Sequence, residues 1–339
     1  MNKFENLPDE DKGSSLKIAS EKLVRSTFII EKDYWVCWLL GQLFALPKIK
    51  DDLTFKGGTS LSKVYSVIER FSEDIDISIE KSYLGFEGDN DPEKMGTKKR
   101  NESLKKLTEA CQQFVAGELL SALNKKIKTE IGKQSWKLTL DPDDPDQQTI
   151  LFFYPVALNQ KSEYIRPSIK IEIGARSEHW PTSLLQISSD LKVALPDFIE
   201  ESPITVKVLK IERTFWEKAT ILHMYAHYPS DKKVPIRQSR HYYDFYCLLK
   251  SSHKEQAEKQ SDLLIRVAEH KSIYFRAGWA SYETAKIGSL KLIPSEKVLA
   301  DMESDFEKMA EMFFTEPPSW KEIMTQIRAF ETKFNKPTN

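Results

Sequence analysis

Cysteine is scarce in this chain: Cys37, Cys111 and Cys247 are three residues among 339, far apart and odd in number. That excludes a disulfide framework and a cysteine-based metal site, and it points to reduced thiols in a cytoplasm. Long apolar runs are also missing. The longest, YWVCWLLGQLFAL at 34–46, ends at Pro47 and falls short of the roughly 20 residues that a membrane-spanning helix needs, so it reads as a buried helix. Neither a signal peptide ahead of it nor membrane association is expected. Nor is there a surplus of charge of one sign. Lys and Arg total 50 against 51 Asp and Glu, a net charge of −1 that provides no global field for grasping nucleic acid. Internal repeats, low-complexity tracts, the Walker G-x-x-x-x-G-K-[ST] spacing and HExxH are all absent from the sequence.

What is present is a change of period around a glycine pair. Residues 14–46 carry apolar side chains at helical spacing, and the chain turns after Pro47 into a short strand at 53–55. After Gly57 and Gly58, the residues Leu61, Val64, Tyr65 and Ile68 recur every three or four positions, predicting a helix over 59–70 capped by Thr59 or Ser60. At 74–80 the period becomes two. Ile75, Ile77 and Ile79 face one way, and Asp74, Asp76, Ser78 and Glu80 the other. A polar loop is expected at 88–100, a charged amphipathic helix at 101–130, strands WKLTL (136–140) and TILFFYPVAL (149–158) about a turn-rich 141–148, and another alternating strand at 169–173. From about residue 206 the pattern is mostly helical. The expected architecture is α+β: an N-terminal helical segment (1–50), a mixed-sheet core (51–205) and a mostly helical C-terminal domain (206–339).

The glycines and the aspartates suggest one chemistry. Asp74 and Asp76 share a strand face, and two full charges roughly 5 Å apart repel by about 3 kcal/mol at an effective dielectric near 20. A divalent cation turns that repulsion into attraction; Mg²⁺ takes one or two carboxylates together with phosphate oxygens and water. A solvated edge strand is the plainer account of the same D-x-D. Gly57 and Gly58, between strand and helix, let a backbone come close to a phosphate, with Ser60 offering a hydroxyl and Lys63 a point charge. A tight turn needing positive φ explains the pair equally well. Glu172 in IKIEI, flanked by inward Ile169, Ile171 and Ile173, is the candidate third acid of a two-metal site. His223 and His227, four apart, have the spacing of a zinc pair but no evident third ligand. Trp35, Trp38 and Trp216 are expected in the core.

Taken in order, EKDYWVCWLL (31–40), FKGGTSLSKVY (55–65), RFSEDIDISI (70–79), IKIEIGARSEHWP (169–181), ERTFWEKATILH (212–223) and RHYYDFYCLL (240–249) resemble the blocks of the AbiEii/AbiGii-type toxins, a branch of the polymerase-β-like nucleotidyltransferase superfamily. The resemblance runs through nearly the whole chain. It implies a polymerase-β-like core with Asp74, Asp76 and Glu172 as catalytic metal ligands, and Gly57, Gly58, Thr59, Ser60 and Lys63 at the nucleotide. It further implies that the C-terminal domain contributes Lys218 and Asp244 to catalysis, Asp244 orienting Lys218 or Arg240. Gly58 and Asp74 lie farther apart than is usual in the superfamily, which suggests a longer intervening helix.

The function so implied is transfer of a nucleoside monophosphate from an NTP to an acceptor hydroxyl, dependent on Mg²⁺ (or Mn²⁺). The acceptor implied is RNA, with the tRNA 3′ end favoured. The setting implied is a toxin–antitoxin or phage-defence system with a cognate antitoxin protein. Basic clusters at 98–100, 105–106, 125–128, 232–233 and 237–240 offer local phosphate contacts, although such runs also occur as solvated helix faces. A protein-modifying nucleotidyltransferase, a γ-phosphate kinase and a non-catalytic binding module are the alternatives.

Overall fold

The computed structural model describes residues 3–157 and 167–336. The chain divides into two compact units, one formed by Met1–Val64 with Ser72–Val208, the other by Tyr65–Phe71 with Leu209–Asn339.

The first unit opens with helices α1 (Asp9–Leu23) and α2 (Thr27–Phe44). The helical signal over 14–46 is therefore split. Val24 adopts a left-handed conformation with φ 53°, and the Ser26 side chain accepts the Ile29 N–H to cap α2. α2 is buried on nearly all sides, and Trp35 and Trp38 set their rings against Phe152 at 6.1 and 5.9 Å, in the core as expected.

Among the described residues, seven strands form one mixed sheet: β1 (Leu53–Lys56), β2 (Ile75–Ile79), β3 (Lys137–Leu140), β4 (Thr149–Phe153), β5 (Ser168–Gly174), β6 (Thr182–Ile187) and β7 (Ile204–Leu209), in the order β3-β4-β5-β2-β1-β7-β6. β2 runs antiparallel to β1 and parallel to β5. The isoleucines of β2 and β5 are all buried, as alternation predicts. The strand expected at 149–158 ends at Phe153, ahead of Pro155, which lacks a ladder donor; residue 158 lies outside the described residues.

The other differences have local causes. The helix predicted over 59–70 stops early: α3 spans Gly57–Lys63, and Ser66 takes φ 51°, which no continuing helix allows. The long gap between Gly58 and Asp74 thus holds the rest of α3, a turn and a stretch without regular structure, not a longer helix. The helix predicted over 101–130 is α4 (Thr97–Phe114) and α5 (Leu120–Ile131), joined by a π-helical turn at Val115–Leu119. β6 and β7 fall where no strand was expected. In β7, Val206 and Val208 are buried at period two; in β6 Leu184 and Leu185 are adjacent and both exposed, so no alternation marks it. A short helix, α6 (Asp190–Ala194), lies between them in the chain.

The second unit is helical: α7 (Ile211–Ala226), α8 (Arg240–Lys250), α9 (Lys254–Lys259), α10 (Asp262–Tyr274), α11 (Glu296–Glu307) and α12 (Trp320–Phe334). Phe215, Phe245 and Phe330 of α7, α8 and α12 meet at centroid distances of 5.0 to 5.7 Å, and the Trp216 indole N–H donates to the Ala257 carbonyl at 3.0 Å. Residues 65–71 join this unit through the backbone. The Phe71 N–H donates to Met312 O at 2.7 Å and the Phe314 N–H to Glu69 O at 3.1 Å. The fold class is α+β, and among the described residues no helix is long and apolar enough to cross a membrane.

Candidate active site

In the sheet unit, strand register decides which acids are neighbours. Asp76 pairs with Lys56 on β1 and with Glu172 on β5, so the three side chains stand in one row on the same face. Asp74 precedes β2 by one residue and shares that face through the period of two. Asp74 and Asp76 are half-buried and Glu172 is exposed. Among the described residues no group of three or more His, Cys, Asp or Glu side chains is disposed to hold a metal ion. The three acids therefore share a face without closing into a three-ligand cage.

Gly57 accounts for the glycine signal in two ways. Its φ is +79°, in the left-handed region where a side chain is strained, and Gly58 shows no such conformation. A Cβ built on Gly57 would also lie 1.9 Å from Asp76 Oδ2 and 2.6 Å from its Cγ. The Asp76 carboxylate thus occupies the space of the missing side chain, and the turn and the acid form one feature.

The neighbouring candidates are engaged within the fold. The buried Thr59 hydroxyl donates to the Asp74 carbonyl and lies 2.9 Å from the Ser72 hydroxyl, so it fixes the approach to β2. Ser60, also buried, donates to Gly57 O at 2.8 Å. Lys63 places its ammonium 2.6 Å from Asp33 and 2.8 Å from Asp190, and Arg25 also binds Asp190. This cluster holds Lys63 within the scaffold.

The EKD run of α2 gathers three segments around the sheet. The Glu31 carboxylate accepts the Ala157 N–H at 2.6 Å, Lys32 pairs with Glu73 next to Asp74, and Asp33 accepts the Asp190 N–H at 2.7 Å in addition to holding Lys63. Burial pushes the Glu31 carboxyl up to about 7, opposed by the Ala157 hydrogen bond, and Asp33 up to about 6, opposed by Lys63. These residues were read from the sequence only as part of a family block. Their charge in an otherwise apolar helix was the available signal.

Farther along the same face, His179 brings Nδ1 to 2.9 Å from the Thr54 hydroxyl. Burial pushes its pKa down to about 3, and the charges of Lys207 and Lys56 add to the effect. Lys170, before Glu172 on β5, is 2.9 Å from Asp141; burial disfavours its charge, but Asp141 and then Asp74 and Glu172 raise its pKa overall.

In the helical unit, Lys218 and Asp244 are brought into contact. Lys218 Nζ lies 2.7 Å from Asp244 Oδ2 and 3.0 Å from His241 Nδ1, and the side chain is buried. The second cation on Asp244 is Arg70, not Arg240: its Nε and Nη2 reach the two carboxylate oxygens at 2.7 and 2.9 Å. Arg70 is 174 residues away in the chain, and nothing local marks the pairing beyond its place at the head of the RFSEDID block. Asp244 is fully buried; its burial is outweighed by Arg70 and Lys218, which hold its carboxyl well below the usual carboxylate range. Burial lowers Lys218 despite Asp244, and burial together with the Lys218 charge keeps His241 neutral. His223 accepts the Lys291 N–H at Nδ1 and meets Ser281 O at Nε2, 3.0 Å away, so both ring nitrogens of this half of the suspected zinc pair are engaged.

No curated protein matches the sequence. Among solved structures, the chain is similar to MenT4, a nucleotidyltransferase toxin from Mycobacterium tuberculosis, at 15% identity and a TM-score of 0.45, over 94% of this chain and 96% of that one. The family described as nucleotidyl transferase AbiEii toxin, type IV toxin–antitoxin system, matches residues 38–336. Reaching from within α2 to just past the end of α12, that match takes in the glycine turn, both acidic strands and the Lys218–Asp244 pair, and the chain belongs to the AbiEii family of nucleotidyltransferase toxins.

Proposed function

We propose that the Asp74–Asp76–Glu172 face of the sheet is where this nucleotidyltransferase works, and that it transfers a nucleoside monophosphate from an NTP to a hydroxyl of RNA, the tRNA 3′ end being favoured. The observation that carries this reading is the seating of the Asp76 carboxylate in the space a Gly57 side chain would fill. A turn that must stay bare, with an acid held against it, lets a triphosphate lie close to backbone and carboxylate together.

The donor set is all oxygen and suits a hard divalent cation, Mg²⁺ or Mn²⁺. Asp74 and Asp76 would hold it with Glu172 beside them, and when bound it supplies positive charge against the triphosphate. The protein's own part is positional. Gly57 gives close approach, Thr59 holds the Asp74 carbonyl, and Glu31, Lys32 and Asp33 fix the segments that carry the acids. Gly58, Ser60 and Lys63 shape the turn from behind. For the acceptor, α4 and α5 display Lys98, Lys99, Lys105, Lys106, Lys125 and Lys128 to solvent, as RNA phosphates require. A cognate antitoxin restrains the activity in the cytoplasm.

The test is incubation of the protein with total RNA and each NTP, labelled in turn at the α- and the γ-phosphate. Label from the α-position on RNA is expected, lost by at least about 100-fold in Asp76→Asn at an unchanged unfolding midpoint. Label from the γ-position means a kinase, and label on protein bands means a protein-modifying enzyme. Undiminished transfer by Asp76→Asn removes this face as the site. The expected roles of Lys218 and Asp244 are tested apart from it, by Lys218→Met in the same assay.

A further inference from the structure

The row of charged side chains on the sheet is wider than its acids. Lys56, the residue before the glycine pair, stands directly opposite Asp76 on the antiparallel neighbour β1, and Asp76 stands beside Glu172 on β5. Side chains at such paired positions have Cβ atoms about 5 Å apart on one face. Lys56 is half-buried, and among the described residues its ammonium forms no ion pair.

That separates Lys56 from every other lysine of the neighbourhood. Lys63 is held by Asp33 and Asp190, Lys170 by Asp141, Lys32 by Glu73, and Lys207 donates to Asp51 O at 2.8 Å. A lysine beside two acids that closes on neither keeps its charge for something else. It directly precedes Gly57, whose left-handed φ of +79° and bare Cα beside Asp76 form the turn from which the Lys56 side chain projects.

We infer that Lys56, and not Lys63, is the lysine that meets the nucleotide, its ammonium contacting the β- and γ-phosphates of an NTP lying at the Gly57 turn beside Asp76. This rests on the reading of the acidic face given above. In the transfer, the acceptor oxygen forms a bond to the α-phosphorus and the bond from that phosphorus to the α,β-bridging oxygen breaks. The electron pair leaves on pyrophosphate, and the acceptor proton passes to a carboxylate of the face. Lys56 neither gives nor takes a proton; it stabilises charge that grows on the leaving group, so it is a substrate-contacting residue. Lys63 is a positioning residue, acting through Asp33 and Asp190.

The experiment is calorimetric titration of the full chain with the α,β-methylene analogues of ATP, GTP, CTP and UTP and with the four nucleoside monophosphates. For the best triphosphate analogue, Lys56→Met is expected to weaken binding by about tenfold or more, with monophosphate binding unchanged and Lys56→Arg within about threefold of wild type. Lys63→Met, by contrast, should lower the unfolding midpoint without singling out triphosphates. Triphosphate binding by Lys56→Met as tight as wild type, while Asp76→Asn has lost transfer, overturns the role of Lys56 alone. Failure of the wild-type protein to bind any of the four triphosphate analogues overturns the reading of the face, and Lys56 with it.

Discussion

Asp76 and Asp244 are both carboxylates on regular secondary structure, and the two regions treat them in opposite ways. Asp244, on α8, is fully buried and bound by Arg70 at both oxygens and by Lys218 at one. Asp76, on β2, is half-buried, forms no ion pair among the described residues, and rests against the bare Cα of Gly57. Charge neutralised inside the fold has little left for a ligand. Charge held in place but not neutralised is where an external cation or a phosphate-bound metal gains most.

The strongest way to break the comparison is Asp244→Ala. It leaves Arg70 and Lys218 buried without their counter-charge, and a loss of about 3–5 kcal/mol is expected in urea unfolding. A variant as stable as wild type would mean that the cluster is not what holds this part of the helical unit. Because of that cost, loss of transfer in Asp244→Ala would say nothing of chemistry, whereas loss in Asp76→Asn would.

A smaller effect is expected from Gly57→Ala. A left-handed backbone that now carries a Cβ, together with displacement of Asp76, costs roughly 1–3 kcal/mol, and transfer should fall by at least about tenfold. Steady-state rates and an unfolding midpoint on the same preparation check both. Full activity would separate the glycine from the acid it touches.

Glu31 sharpens the comparison with a third case: a carboxylate buried like Asp244 but bound by one backbone N–H in place of two cations. Its pKa in the folded protein is about 7, above its ordinary 4.5. The folded state therefore favours the protonated form. Stability from this group is fully present below about pH 4.5 and is lost as pH rises toward 7, by about 1–2 kcal/mol after allowance for solvent. Glu31→Gln, which cannot ionise, should flatten that part of the profile in denaturant unfolding between pH 4.5 and 8. An unchanged slope would assign it to other groups, Asp33 first. His179 works the other way: its depressed pKa gives stability that is present above pH 6.5 and lost as pH falls toward 3.

Much of the sheet was legible before the structure, because its signals are local. Isoleucines at every second position of 75–79 and 169–173 specify strands with one core face, and they place Asp74, Asp76 and Glu172 on the other. The helix over 59–70 misled because Leu61, Val64, Tyr65 and Ile68 keep helical spacing, whereas Ser66 turns left-handed and residues 65–71 pair with 312–314 instead. β6 was invisible because an edge strand with Leu184 and Leu185 both exposed has no alternation to read.

The lysines show where local reading stops. Lys63 lies one helical turn past the glycines and looked like the phosphate lysine; only the fold reveals that Asp33 and Asp190, the latter 127 residues away, already bind it. Nothing in the residues around Lys218 marks its burial, and only the packing of α7 on α8 sets it against Asp244 and His241.

By itself, then, the sequence determined the period of each main element, the face on which the strand acids stand and the family to which the chain belongs, since all of these are written in spacings of two to four residues and in the order of short blocks. The tertiary structure alone decided which charges cancel one another and which remain. Coulomb energy depends on distance and burial in three dimensions, and residues such as Arg70 and Asp244, 174 apart in the chain, meet only once the fold has closed.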